Sequence, residues 1–226
     1  GALSNREARF LPLHSVWDDD ITGPSMVTEC RAVDARSIIS RNDSPDIPFC
    51  QSINPYQGCE HGCIYCYARP THGYLDLSPG LDFETRLTWK RNAVELLVRE
   101  LSRPAYRCRP ITLGANTDPY QPVEQRLQLT RKLLKIMHRC RHPVSIITKG
   151  ALITRDIDIL SDLAADGLAS VAVSVTTLDR ELKRRMEPRT PSARARLDAV
   201  GQLSAAGIPV TVLFAPVIPA LNDREM

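Results

Sequence analysis

A chain of 226 residues, 43% apolar and 24% charged, has the make-up of a globular protein and the length for one large domain or two small ones. The formal net charge of +3 is too small to argue for nucleic acid or membrane binding by itself, and seven cysteines, an odd number, are too sparse for a secreted disulfide framework. The opening residues lack the apolar core of a signal peptide, and the most apolar late stretch (207–221) is too short to span a bilayer and carries three prolines, so a reducing, cytoplasmic setting without a membrane partner is expected.

Residues 1–50 show little periodicity, and Arg41–Phe49 is rich in turn formers. This part reads as an irregular, partly disordered N-terminal extension draped on the core; a plain flexible tail gives the same pattern. From residue 51 short β-branched runs alternate with helical stretches. Residues 52–59 supply a first strand, and 81–101 place apolar residues at helical spacing. A strand is predicted at 110–117, a helix at 123–140, a strand at 143–150 and a helix at 155–167 closed by Gly167. A strand follows at 170–178, then a helix at 190–207 with Thr190 at its N-cap, Pro191 in its first turn and Gly207 at its end. The last strand is predicted at 208–218. Five strands alternating with helices predict an α/β fold, a partial parallel (β/α) barrel. With no helix after the fifth strand, the sequence reads as truncated there, so 51–226 is expected to be an incomplete core.

The stretch from Asn54 to Pro70 holds Cys59, Cys63 and Cys66 within eight residues, spaced C-x3-C-x2-C. Thiolates are soft ligands that suit zinc or iron-sulfur clusters. Structural zinc wants four ligands, usually as two separated pairs, and no second pair exists here; Cys108 and Cys140 stand alone, although His61 or His72 could complete a Cys3His site. A [4Fe-4S] cube held by three cysteines leaves one iron open to a small molecule, whereas an electron carrier would use four. Three readings stand at this point: an iron-sulfur enzyme, a zinc-stapled module binding nucleic acid through its basic runs (103–110 and 180–189), and an electron carrier.

The cysteine spacing, with Tyr65 just before the last cysteine, resembles the radical S-adenosylmethionine (SAM) superfamily. The stretches 40–49, 52–87, 114–131, 146–150, 173–179, 187–191 and 215–223 resemble a narrower group within it, the DNA repair photolyase-like relatives of spore photoproduct lyase. The resemblance implies a [4Fe-4S] cluster on Cys59, Cys63 and Cys66 and a SAM molecule chelating the open iron. It also implies a cellular reductant, reductive cleavage to a 5′-deoxyadenosyl radical, and hydrogen abstraction from a substrate for which nucleic acid is a candidate.

Carried over residue by residue, the resemblance places Tyr65 near the adenine, Lys149 toward the polar end of SAM and Ser174 toward its carboxylate or ribose. Asn116 and Asp118 leave the second strand at the end that carries the site in (β/α) barrels, although Asp118 could simply cap the turn before Pro119. Glu187 and Arg189 precede a helix N-terminus and could hold the ribose or carboxylate; a capped, solvated loop is the alternative. Ala215, Pro216 and Val217 could shape the adenine pocket, and Tyr56, His61 and Tyr67 are expected to pack or hydrogen-bond locally. One departure stands out. The lyases carry a hydrogen-returning cysteine three residues before an aspartate, and that position here is Ala115.

Overall fold

The computed structural model describes residues 27–226, so the first 26 residues of the expected N-terminal extension lie outside the described residues. In chain order the elements are β1 (Glu29–Val33), β2 (Ile39–Arg41), β3 (Gln51–Ile53), β4 (Tyr56–Gln57), α1 (Asp82–Thr85), β5 (Arg86–Lys90) and α2 (Ala93–Leu101). They continue with β6 (Ile111–Leu113), α3 (Glu124–Leu127), α4 (Leu129–Arg139), β7 (Val144–Thr148), α5 (Ile157–Ala165), β8 (Ala169–Ser174), α6 (Arg180–Met186), α7 (Ala193–Ala205) and β9 (Val210–Leu213).

The main sheet has the order β2-β3-β6-β7-β8-β9. Its last five strands run parallel, matching the five predicted, and β2 pairs antiparallel on the edge. The result is a partial α/β barrel. Strand residues such as Ile53, Ile111, Leu113, Ile146, Val171 and Val173 are buried with Leu97, Leu133, Leu160 and Leu203 from the covering helices. Helix α4 packs on α2 and α5, and α7 packs on β8 and β9. Among the described residues no helix is long and apolar enough to cross a membrane.

Four local expectations are corrected. The stretch 81–101 is not one helix: β5 interrupts it, pairing parallel with β1 and antiparallel with β4 in a second, three-stranded sheet. The run Arg86-Leu87-Thr88-Trp89-Lys90 alternates polar and apolar within a longer stretch of helical spacing, and pairing on both sides decides for the strand. The described part of the N-terminal extension is not wholly irregular. β1 and β2 form in it, and the buried Glu100 of α2 accepts from the backbone N–H of Ile38 (2.8 Å) and Ile39 (3.2 Å). The predicted helix 123–140 breaks at Gln128, whose φ is 51°. The carboxylate of the buried Glu124 accepts there from Thr130 N (3.0 Å), satisfying an otherwise orphaned donor at the start of α4. Finally, the N-cap of α7 is Ser192, not Thr190; its hydroxyl accepts from Ala195 N at 3.2 Å.

Candidate active site

The cysteine loop leaves β4 at the C-terminal end of the parallel strands. Its backbone is held at many points: Cys59 N donates to Phe83 O (2.9 Å), and Ile64 N to Met186 O (3.0 Å). Gln121 receives from Glu60 N (2.9 Å) and donates to Gly58 O (3.2 Å). A tight turn between the first two cysteines needs Gly62, at φ +66°, a conformation that other residues rarely adopt.

The three thiols open onto one cavity of about 450 Å³. Its walls bring together most of the residues named from sequence: Cys59, Cys63, Cys66, Tyr65, Asn116, Asp118, Lys149 and Ser174. Each comes from the cysteine loop or from the C-terminal end of β6, β7 or β8, so the site lies where ligands bind in barrels of this kind. His61 also lines it, as do Tyr67, Gly114, Ala115, Ile147 and Thr148, with Ile47 and Phe49 adding apolar wall. Ala115 therefore occupies the cavity, and its carbonyl accepts the hydroxyl of Tyr67. His72 stands apart, its Nε2 2.9 Å from Arg86 O and its ring edge-on to Phe83. Cys108 and Cys140 are exposed and also apart.

Asp118 is a hub rather than a simple turn cap. Oδ1 accepts from Thr148 Oγ1 (2.6 Å) and Tyr120 N (2.8 Å), while Oδ2 accepts from Lys149 N (2.7 Å). His61 Nδ1 lies 3.3 Å from Oδ2, outside hydrogen-bond geometry, and has no other partner among the described residues. Burial alone would raise the Asp118 pKa; the His61 imidazole and the Thr148 and Lys149 donors outweigh it and hold the carboxyl at about 2. The Lys149 ammonium, 5.6 Å from the centroid of the Tyr65 ring, makes no hydrogen bond or ion pair among the described residues. It is a cation facing an open cavity.

Burial pushes the Cys63 thiol up to about 12 despite the opposing charge of Lys149, and pushes Cys59 well above its ordinary value, with Asp118 adding to the effect. Left alone, both would be neutral thiols. A bound soft metal would displace those protons, which is the ordinary coupling of metal binding to thiol ionisation. Among the described residues no three His, Cys, Asp or Glu side chains converge on a single metal ion. The three thiols line one cavity, and as soft donors they suit an iron-sulfur cluster or zinc.

Two of the expected ligand contacts are placed elsewhere. Glu187 does not line the cavity: it is buried, ion-paired to Arg196 at 2.5 Å, and accepts from the Tyr65 hydroxyl and from Thr176 Oγ1 (2.7 Å). Burial opposes its ionisation, but the Arg196 guanidinium, followed by Tyr65, Lys149 and Thr176, keeps the carboxyl below its usual range. Tyr65 is thereby anchored by its hydroxyl, and burial pushes its pKa up. Arg189 is also committed, to Glu84 and to Glu60 O. Both side chains are already engaged inside the protein, Glu187 with Arg196 and Arg189 with the Glu84 carboxylate that it shares with Arg69. Ala215 is joined to Thr176 Oγ1 through its carbonyl (3.1 Å), and neither it nor Pro216 nor Val217 lines the cavity.

Sequence reasoning missed Thr148, Arg69, Glu84 and Arg196. Thr148 was findable as a polar residue closing an apolar strand. The other three carry no local signal, since their partners are distant in the chain or sit on a different element.

A parallel-stranded partial barrel with three thiols, a lysine and an aspartate around one cavity at its strand ends defines an α/β class whose site lies at that end. The profile of the Radical SAM superfamily matches residues 53–226, and the chain belongs to that superfamily. An uncharacterized protein of Mycobacterium tuberculosis is 44% identical over 177 residues, 78% of this chain and 52% of that one. An uncharacterized protein of Methanocaldococcus jannaschii is 30% identical over 173 residues, 76% of this chain and 62% of the relative. The chain thus spans about half the length of the mycobacterial relative. The structure of spore photoproduct lyase complexed with dinucleoside spore photoproduct has the same fold, with a TM-score of 0.61 at 19% identity over 84% of this chain and 52% of that one. A lyase variant solved with bound AdoMet and the same dinucleoside aligns with a TM-score of 0.59 at 19% identity, over 83% of this chain and 51% of that one.

Proposed function

We propose that residues 51–226 form the cofactor-binding core of a radical SAM enzyme in which Cys59, Cys63 and Cys66 hold a [4Fe-4S] cluster and the cavity beside them binds SAM. The observation that carries this reading is the convergence of three thiols and one unpaired ammonium, Lys149, on a single cavity at the strand ends. When bound and reduced by a cellular electron donor, the cluster supplies the electron that cleaves the sulfonium bond of SAM and releases the 5′-deoxyadenosyl radical. The protein's own part is binding and orientation. Lys149 meets the SAM carboxylate, Tyr65, fixed through its hydroxyl, offers a ring face to the adenine, and Ser174 and Asn116 supply polar contacts. Asp118 works indirectly: by holding Thr148 and the Lys149 backbone it sets where the lysine emerges.

The substrate class favoured is nucleic acid. Helix α6 presents the exposed Arg180, Arg184 and Arg185, the last two sharing Glu181, next to the cysteine loop, to which it is joined by Ile64 N donating to Met186 O at 3.0 Å. The other basic run, 103–110, precedes β6 and so lies at the opposite end of the sheet, away from the cavity. With Ala115 where a hydrogen-returning cysteine would stand, lesion splitting by that route is not part of the proposal.

The test is anaerobic iron-sulfide reconstitution followed by a strong reductant and SAM. Bound iron near four per chain and 5′-deoxyadenosine, both lost when Cys59, Cys63 and Cys66 are all changed to alanine, are expected. A colourless protein after reconstitution, or an intact cluster that forms no 5′-deoxyadenosine, would overturn the reading.

A further inference from the structure

Three ionic side chains stand behind the cysteine loop, and none of them lines the cavity. Glu84 is fully buried; its two carboxylate oxygens are taken by two different guanidinium groups, Oε1 by Arg69 Nη2 at 2.5 Å and Oε2 by Arg189 Nη2. Each arginine also grips the loop. Arg69 donates twice to Cys63 O, from Nε at 3.1 Å and Nη2 at 2.9 Å, and its Nη1 spans Pro79 O and Gly80 O. Arg189 donates from Nε to Glu60 O at 2.5 Å and from its backbone N to His61 O at 3.3 Å. The carbonyls of Glu60, His61 and Cys63 are therefore all held from this side. The packing leaves no slack: a Cβ on Gly62 would run into both the Arg189 guanidinium and the Glu84 carboxylate.

Holding a loop in place needs hydrogen bonds and not charge, yet this clamp is built from charges at some expense in desolvation. Two cations and one anion leave a net charge of +1 beside the ligating residues, in an interior where charge acts strongly. A cluster gains negative charge on reduction, and its potential responds to nearby net charge and to the groups around its ligands. A fixed positive charge favours the reduced form.

We propose that Arg69, Glu84 and Arg189 are positioning residues that fix the register of the cysteine loop and, through their net positive charge, raise the reduction potential of the cluster it holds. This rests on the cluster reading of the preceding section.

The experiment is a redox titration of the reconstituted protein without SAM, following the visible absorbance of the cluster. Arg189→Gln takes the net charge of the group from +1 to 0, so at fixed applied potential the ratio of reduced to oxidised cluster should fall about tenfold, equivalent to about 59 mV for one electron. Glu84→Gln takes it to +2 and should shift the ratio the opposite way. The double variant restores +1 and should return close to the starting potential, and Arg189→Lys should leave the potential unchanged. A clamp that merely holds the loop would loosen in both single variants and move both potentials in the same direction, or in neither; either result overturns the proposal. Should Glu84→Gln fail to fold, the contrast between Arg189→Gln and Arg189→Lys decides, and equal potentials in those two refute it. Iron content and the visible spectrum of the unaltered protein are read first. Absence of a four-iron cluster there removes the active-site reading itself, and the proposal with it.

Discussion

Glu187 and Arg196 form an ion pair of 2.5 Å in which the two side chains are 0% and 1% exposed. The pair ties three elements together. Glu187 takes the hydroxyl of Tyr65 on the cysteine loop, and Arg196, on α7, donates from Nη1 to Ser174 O at the end of β8 (2.8 Å) and from Nη2 to Thr190 Oγ1 (2.9 Å). Glu187, expected to meet a ligand, thus positions Tyr65, which lines the cavity.

Breaking this pair from one side leaves a buried charge without a partner. Arg196→Met should destabilise the fold by about 3–5 kcal/mol. Adding Glu187→Gln in the same chain should recover much of that loss, because neither charge is then stranded. Urea unfolding of the single and double variants measures both; equal stabilities for the two would contradict the coupling.

Among the described residues the Lys149 ammonium makes no hydrogen bond or ion pair, only a contact 5.6 Å from the Tyr65 ring centroid, so its removal should cost little stability and fall on ligand binding. Lys149→Ala should bind SAM about tenfold more weakly, roughly 1.4 kcal/mol, with iron content unchanged. Equilibrium binding to the reconstituted protein checks this. An unchanged affinity would assign the lysine to solvent.

Gly114, at φ +89°, turns the chain out of β6 toward the cavity, and a Cβ there would run into the carbonyl oxygen of Ile147. Both the backbone conformation and the contact exclude a side chain. Gly114→Ala should destabilise the fold by about 1–3 kcal/mol, seen as a lowered thermal midpoint, whereas Gly201→Ala, at a helical glycine with open space around it, should stabilise slightly.

Acid sensitivity should trace in part to His142, which is 3% exposed, with Nδ1 2.9 Å from Pro143 O and Nε2 2.6 Å from the Tyr106 hydroxyl. Burial lowers its pKa from the ordinary 6.5, the Pro143 carbonyl opposing only in part. As pH falls, the unfolded chain takes up this proton before the native one, so the native state loses stability below about 6.5. Unfolding free energies measured between about pH 5 and 8 should fall on the acid side for the unaltered protein and fall less steeply for His142→Gln. Identical slopes would exclude the residue.

Much of the architecture was legible because it is written in short-range pattern. The five parallel strands carry apolar runs that only a covered sheet can bury, and Gly167 and Gly207, at φ +69° and +76°, close the helices at the positions expected. The stretch 81–101 was misread for the same reason: Phe83 and Leu87, four apart, share a helical face, while Leu87 and Trp89, two apart, share the face of a strand. Pairing of β5 with β1 and β4, brought in from 57 and 33 residues away in the registers Glu29–Arg86 and Tyr56–Trp89, settled the matter.

The sequence by itself determined the cysteine spacing, the alternation of strands and helices, and the polar residues leaving the strand ends, because each depends on residues close in the chain. Only the tertiary structure decided which charges face the cavity. Lys149 was left open to it, while Glu187 and Arg189 were withdrawn into ion pairs with Arg196 and Glu84. A buried charge takes whatever opposite charge the fold brings within reach, and that partner's position in the sequence carries no local signature.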